Sequence, residues 1–278
     1  MDPELYSRNN SVQTNENCHI ISKYLNMDTW KEGESVLEIG MGNGKFSMET
    51  FLPKLGNKIH RYVGSDISEK MVEYAERKFH QKQNPNIEFM KLDPQLNEIS
   101  SSLIEQFDHV VSFNCFHFFS DARTALKNIF SMLKPGGEII ASLLEKNTED
   151  DIFHNFSKHP RWGGYGHEKY VSTFFLSDNP QEEWKKTFID AGFKDIKIFC
   201  EDRIVTFPDE RKFDDFFLAL DPALSDIPMH DKKAYIRDFL QEVKRGTAIS
   251  IEQNMKTGQR SFVMQYRIMV FIASKTLT

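Results

Sequence analysis

Val36-Leu37-Glu38-Ile39-Gly40-Met41-Gly42-Asn43-Gly44 carries the most chemistry in this 278-residue chain: an apolar strand runs straight into three alternating glycines. Glycines there let the backbone turn tightly at the carboxyl end of a first strand. They also let a ligand touch the main chain where a side chain would clash. A dinucleotide fingerprint, GxGxxG, would need glycine at position 45, which is Lys45. The loop is GxGxG and follows Glu38, an acid that would repel a pyrophosphate and attract a cationic ligand bearing an amine or a sulfonium. Both features argue against a nicotinamide dehydrogenase. Two more acids close the next two strands. Asp66, after Gly64-Ser65, is placed to accept both hydroxyls of a ribose, and Asp93, after Lys91-Leu92, suits an adenine amino group.

Such acids need a parallel sheet to present them. Short apolar or β-branched runs bounded by Gly, Asp or Asn predict strands at 35–39, 61–65, 87–91, 109–113 and 138–143. Helical spacing predicts helices at 68–79, with Ser68 as N-cap, and at 122–133, stopped by Lys134-Pro135-Gly136-Gly137. The stretch after Leu144, including Trp162-Gly163-Gly164-Tyr165-Gly166, lacks periodicity and reads as an inserted loop region. The rhythm resumes with a helix at 181–191 ended by Gly192, a strand at 195–200, helices at 210–219 and 232–244, and a long strand at 261–273. The alternation of strand and helix predicts an α/β fold.

The composition fits a folded chain, with 40% hydrophobic residues, 24 Phe, and 35 basic residues against 41 acidic. A net charge of −6 supplies no broad basic face for nucleic acid. Cys18, Cys115 and Cys200 form neither a disulfide framework nor a metal knuckle, and no His or acidic cluster has metal-ligand spacing, so no metal is expected. The start lacks the pattern of a signal peptide and no run is long enough to span a bilayer, which predicts a cytoplasmic protein without a membrane partner. Nothing in the composition sets an oligomeric state.

Taken together, Glu38 to Gly44, Asp66, Asp93, Phe107-Asp108-His109-Val110-Val111 and Leu133-Lys134-Pro135-Gly136-Gly137 resemble the successive motifs of class I S-adenosylmethionine-dependent methyltransferases. The resemblance implies a Rossmann-like sheet of seven strands, mostly parallel with an antiparallel last strand, under a helical cap. It implies S-adenosyl-L-methionine as cofactor and S-adenosyl-L-homocysteine as product. It places Gly40, Gly42 and Gly44 against the cofactor, Asp66 on the ribose and Asp93 at the adenine. Ile67 and Leu92 would sandwich that ring and Asn114 would face the methionine end; Met71 is a further candidate cofactor contact whose plainer reading is core.

Leu5-Tyr6, Ser11-Val12-Gln13, the stretch from Asp66 to Val72, Asn128-Ile129-Phe130 and the tail from Phe216 to Arg245 extend the likeness to insect juvenile hormone acid O-methyltransferases and their paralogues. That resemblance covers nearly the whole chain, as one methyltransferase domain. Its parts are an arm or lid (1–30), a cofactor-binding half (31–145), substrate-cap insertions around a sheet strand (146–260) and a last strand (261–274). It implies a small lipophilic acceptor, the carboxylate of a sesquiterpenoid acid, with Gln13 matching a family glutamine. Phe116-His117-Phe118 stands where the family has Leu-His-Trp, so Phe118 lacks the indole N–H.

A carboxylate acceptor is ionised at neutral pH and needs no base, and Gln13 could orient it by its amide N–H. A small phenol would need one, and His117 is the candidate. His117 bonded to a backbone carbonyl and holding the loop is the structural alternative, and a paralogue that binds a lipophilic ligand without turnover is a third reading. Tyr6, Gln13, Phe116, His117, Phe118, Trp162 and Tyr165 are the candidate acceptor contacts, with Tyr6 and Gln13 closing over the cofactor.

Overall fold

The computed structural model describes residues 1–79, 85–145, 148–253, 258 and 260–277. The chain opens with helices α1 (Pro3–Asn9) and α2 (Ser11–Tyr24), then alternates: β1 (Glu34–Ile39), α3 (Leu52–Leu55), β2 (Ile59–Asp66), α4 (Glu69–Phe79), β3 (Ile87–Lys91), β4 (Phe107–Ser112), α5 (Ala122–Met132) and β5 (Leu133–Leu144). Then follow α6 (Thr148–Ser157), α7 (Pro180–Ala191), β6 (Lys194–Phe207), α8 (Glu210–Leu220), α9 (Met229–Arg245), β7 (Ile249–Gln253) and β8 (Arg260–Ser274). Of the expected cap segment, residues 146–147, 254–257 and 259 lie outside the described residues.

The sheet has order β3-β2-β1-β4-β5-β8-β6, with β7 paired to β8 off that path. Strands β1 to β5 pair in parallel, and β8 is antiparallel to β5, β6 and β7. From β1 the chain winds outward through β2 and β3, then returns to β4 on the other side of β1. The switch point therefore lies between β1 and β4, where α/β sheets open a crevice at their carboxyl ends. The parallel strands are apolar on both faces because helices cover both. Leu37, Val63, Val110 and Ile139 face α5 and α7, where Trp184 and Phe188 pack. Val36, Tyr62, Val111 and Ile140 face Ile20 and Ile21 of α2 and Val72 and Ala75 of α4.

The expectation of seven strands is corrected to eight among the described residues, by β7. The expected loop after Leu144 contains α6, whose Ile152, Phe153 and Phe156 are buried. Strand β6 continues seven residues beyond its expected end at position 200, to Phe207. Its first even-numbered residues, Ile196 and Ile198, pack beside the core under α5 and α7. From Glu201 to Phe207 the odd-numbered residues turn toward α2 and the cap, and Ile204 on the other face is open to solvent. This far half of β6, with β7 and the start of β8, is the floor of a third core. There Phe207, Phe262 and Met264 meet Phe213, Phe217, Tyr235 and Phe239 of α8 and α9.

Two charged contacts fasten α2 to β6. Glu16, nearly buried, takes a forked pair of hydrogen bonds from Arg203, Nη2 to Oε1 at 2.8 Å and Nε to Oε2 at 3.1 Å. Partial burial would raise the Glu201 carboxyl, but Tyr24, His19 and Lys23 converge on it and hold it at about 2. Arg203→Met leaves Glu16 without its cationic partner; breaking a buried pair from one side costs about 3–5 kcal/mol. With Arg203 itself part-exposed, we expect about 2 kcal/mol of destabilisation in thermal unfolding. No loss would mean that water replaces the guanidinium.

Candidate active site

The chain leaves β1 through Gly40 and Gly42, both in the left-handed region at φ +75° and +61°. A Cβ on Gly40 would stand 2.3 Å from Cys115 Sγ, and one on Gly42 would stand 3.2 Å from the Tyr6 ring. Conformation and space both demand glycine at Gly40. Gly44, also at positive φ, meets Ala75 and Phe79 of α4 instead of the pocket. From β4 the chain leaves through Asn114 at φ +51°, a conformation asparagine tolerates better than most residues. Its N–H donates to Ser142 Oγ at 3.0 Å and its Nδ2 to Asn17 Oδ1 at 2.8 Å.

The pocket between these loops is lined by Tyr6, Gln13, Glu38, Gly40 and Asn114. It also takes Asn10, Thr14, Asn17, Met41, Asn43, Phe46 and Phe113, which the sequence reading did not single out. It encloses about 20 Å³, on the scale of a single water molecule. The arm closes it from above: Asn43 Nδ2 donates to Pro3 O at 3.2 Å and Lys45 Nζ to Ser7 O at 3.2 Å. For a nucleoside-sized ligand to enter, α1 and α2 have to move.

The polar groups in and beside this pocket have a definite character. Burial pushes the Glu38 carboxyl up to about 7, against a 2.6 Å hydrogen bond donated by Tyr62. Burial likewise lifts Asp66 to about 6, although its two oxygens accept the N–H groups of Gly42 and Ser68, each at 2.9 Å. Burial also raises the Tyr6 hydroxyl, reinforced by the charges of Asp66 and Glu38. Gln13 Oε1 and Asn114 Oδ1 are buried acceptors with no donor within reach. Buried carboxylates, two unused amide oxygens and a glycine cradle fit a ligand that brings cationic N–H groups and hydroxyls to donate.

The other expected site residues are spread out. Ile67 is 57% exposed, whereas Leu92 belongs to the core under α5 and α7. Asp93 turns back to accept the N–H of Gln95 at 2.9 Å, and Met71 is buried in α4. Phe116 goes to the core beside Phe119 and Trp184, and Phe118 packs against the cap core. Trp162 is fully buried in that core, its Nε1 donating to Asp238 at 3.1 Å, and Tyr165 packs at the core's edge. His117 is buried with its ring tilted against that of Phe118; its Nδ1 accepts the N–H of Leu144 at 3.3 Å. Nδ1 as acceptor puts the ring proton on Nε2. Burial depresses the ring to about 3, so it stays neutral at ordinary pH.

The fold is Rossmann-like, and residues 36–137 match the family described as a methyltransferase domain. That match and the relatives below support an S-adenosylmethionine-dependent methyltransferase. It is 27% identical to juvenile hormone acid O-methyltransferase of Drosophila melanogaster, across 98% of this chain and 91% of that protein. It is 25% identical to the Bombyx mori protein of the same name, across 91% and 94%. In fold it is similar to YcgJ of Bacillus subtilis, with a TM-score of 0.60 at 16% identity over 93% of this chain and 99% of that one. It is also similar to Haemonchus contortus phosphoethanolamine N-methyltransferase 2, solved with S-adenosylhomocysteine (TM-score 0.56, 17% identity, 94% and 52% covered).

When bound, the cofactor supplies an electrophilic methyl group on sulfur. Asp66 would hold its ribose, Glu38 and the amide oxygens its cationic end, and Gly40 and Gly42 would give it main-chain contact. Among the described residues, no three His, Cys, Asp or Glu side chains come together as a metal would require, and no helix is long and apolar enough to cross a membrane.

Proposed function

We propose that the protein methylates the carboxylate oxygen of a small lipophilic acid, of the sesquiterpenoid kind that the names of its insect relatives indicate. The state of His117 carries this reading. A histidine neutral down to about pH 3, with Nδ1 engaged by a backbone N–H, is a poor base for a phenol, whose pKa is about 10. A carboxylate is already ionised and asks only to be held collinear with the donor in an apolar, water-poor pocket, where opposite charges cancel in the transition state. His117 then serves by donating from Nε2, and Gln13 by donating its amide N–H to the acceptor.

The test is methyl transfer from labelled cofactor, at saturation, to terpenoid acids, fatty acids and small phenols across pH, in wild type and His117→Ala. We expect an acid to be preferred, with a rate flat above pH 6 and reduced no more than about tenfold by the substitution. Preference for a phenol, with a loss of about 10²–10⁴-fold in the variant, would make His117 the base. Binding of the acid with no transfer to any acceptor would point to a non-catalytic paralogue.

A further inference from the structure

The face of α2 turned to the pocket changes character along its length. Asn10, which precedes the helix, then Gln13, Thr14 and Asn17 recur at helical spacing and line the pocket. The same stripe continues as Ile20 and Ile21, buried in the core over β1 and β4. The apolar half fixes how far α2 lies along the sheet, and Arg203 on Glu16 fixes it sideways. Asn17, 7% exposed, is the last polar residue of the stripe, and its Oδ1 accepts Nδ2 of Asn114 at 2.8 Å.

That hydrogen bond has a directional result. A carboxamide has one donor end and one acceptor end, so engaging Nδ2 on Asn17 leaves Oδ1 of Asn114 as the free end. That oxygen is buried and takes no hydrogen bond, and Gln13 Oε1 in the same pocket is in the same condition. Buried acceptors without donors are uncommon in folded proteins, and two in one pocket beside the buried acid Glu38 call for a ligand N–H that carries positive charge. The cofactor has one such group, the α-ammonium of its methionine end.

We infer that Asn17 is a positioning residue for the cofactor: it locks the Asn114 carboxamide with its oxygen presented to the α-ammonium. Asn17 acts through Asn114 and through where α2 holds it, which makes closure of the arm and reading of the amino group one event. The inference rests on the cofactor and is independent of which acceptor is methylated.

The test compares three ligands by calorimetry: S-adenosylhomocysteine, its decarboxylated analogue 5′-(3-aminopropylthio)adenosine, and 5′-methylthioadenosine, which lacks both amine and carboxylate. In Asn17→Leu, freeing the Asn114 amide should weaken the first two ligands alike, by about tenfold, and leave 5′-methylthioadenosine within about twofold. Asn17→Asp keeps an oxygen for Nδ2 and should bind S-adenosylhomocysteine within about threefold of wild type. Equal weakening of all three ligands in Asn17→Leu would show a merely structural role. Weakening of S-adenosylhomocysteine alone would assign the amide to the carboxylate. Unchanged binding of all three, or no recovery in Asn17→Asp, would equally overturn the inference. A wild-type protein that bound none of the three would instead refute the cofactor assignment itself.

Discussion

Replacement of Asp66 by alanine is expected to weaken S-adenosylhomocysteine binding by at least about a hundredfold. Its carboxylate already fixes the glycine loop through Gly42 N–H and the start of α4 through Ser68 N–H. In the proposed role it accepts the ribose hydroxyls as well. Hydrogen bonds to a charged group are worth about 1.5–3 kcal/mol each, and losing two corresponds to at least two decades in affinity. The sign with pH follows from the same burial. The ligand needs the charged carboxylate and burial lifts it to about 6, so affinity should fall as the pH drops through 6. For folding the sense is opposite: a carboxylate raised by burial favours the folded state at acid pH, and that contribution is lost as the pH rises through 6. Calorimetric titration of wild type and Asp66→Ala between pH 5 and 8 checks the first statement, and thermal unfolding of both across the acid range checks the second. Binding by the variant within threefold of wild type would remove Asp66 from the cofactor site.

Trp162→Ala should be the most damaging single change to stability while leaving the cofactor site intact. The indole is enclosed by the cap core, edge-on to Tyr235 at 5.3 Å, under the Arg161 guanidinium at 4.5 Å, and tied by Nε1 to Asp238. Truncating a buried tryptophan to alanine costs about 3–5 kcal/mol. At about 2–4 °C per kcal/mol for a chain of this size, the midpoint should fall by roughly 10 °C in a thermal scan. Affinity for S-adenosylhomocysteine should stay within about twofold, because the residues lining the pocket lie elsewhere. If Trp162 instead lined the acceptor site, the scan would barely move and KM for the acceptor would rise.

The cofactor half was legible because its signals are local. Three glycines after an apolar strand and an acid closing each of the next two strands stand adjacent in sequence to the elements that present them. The arm was not legible in detail. Asn10, Gln13, Thr14 and Asn17 obey helical spacing but are polar, and their stripe makes sense only once Ile20 and Ile21 are seen to extend it. The end of β6 was missed because Glu201-Asp202-Arg203 resembles a turn, whereas two of those charges are met by partners on α2 and the third by Arg267. α6 begins with three acids in its first turn, and its apolar residues bury against α9 and the turns at 163–170, which no local pattern reveals. For His117 the sequence leaves open a base or a ring bonded to a backbone carbonyl, and the structure instead gives it the N–H of Leu144. The choice turns on whether Leu144 offers it an N–H, a matter of how β5 ends.

The continuity of β6 and β8 sets a limit on how this enzyme can move. Residue pairs from Lys194–Ser274 to Phe207–Phe262 carry one antiparallel ladder from the catalytic sheet into the floor of the cap. A cap joined by two loops could swing as a rigid body. A cap grown from the sheet itself would have to bend a hydrogen-bonded ribbon to do so. The compliant parts are then the helices laid on the ribbon, so exchange of ligands falls to the arm. The three cores can still diverge in side chains while sharing a single backbone spring.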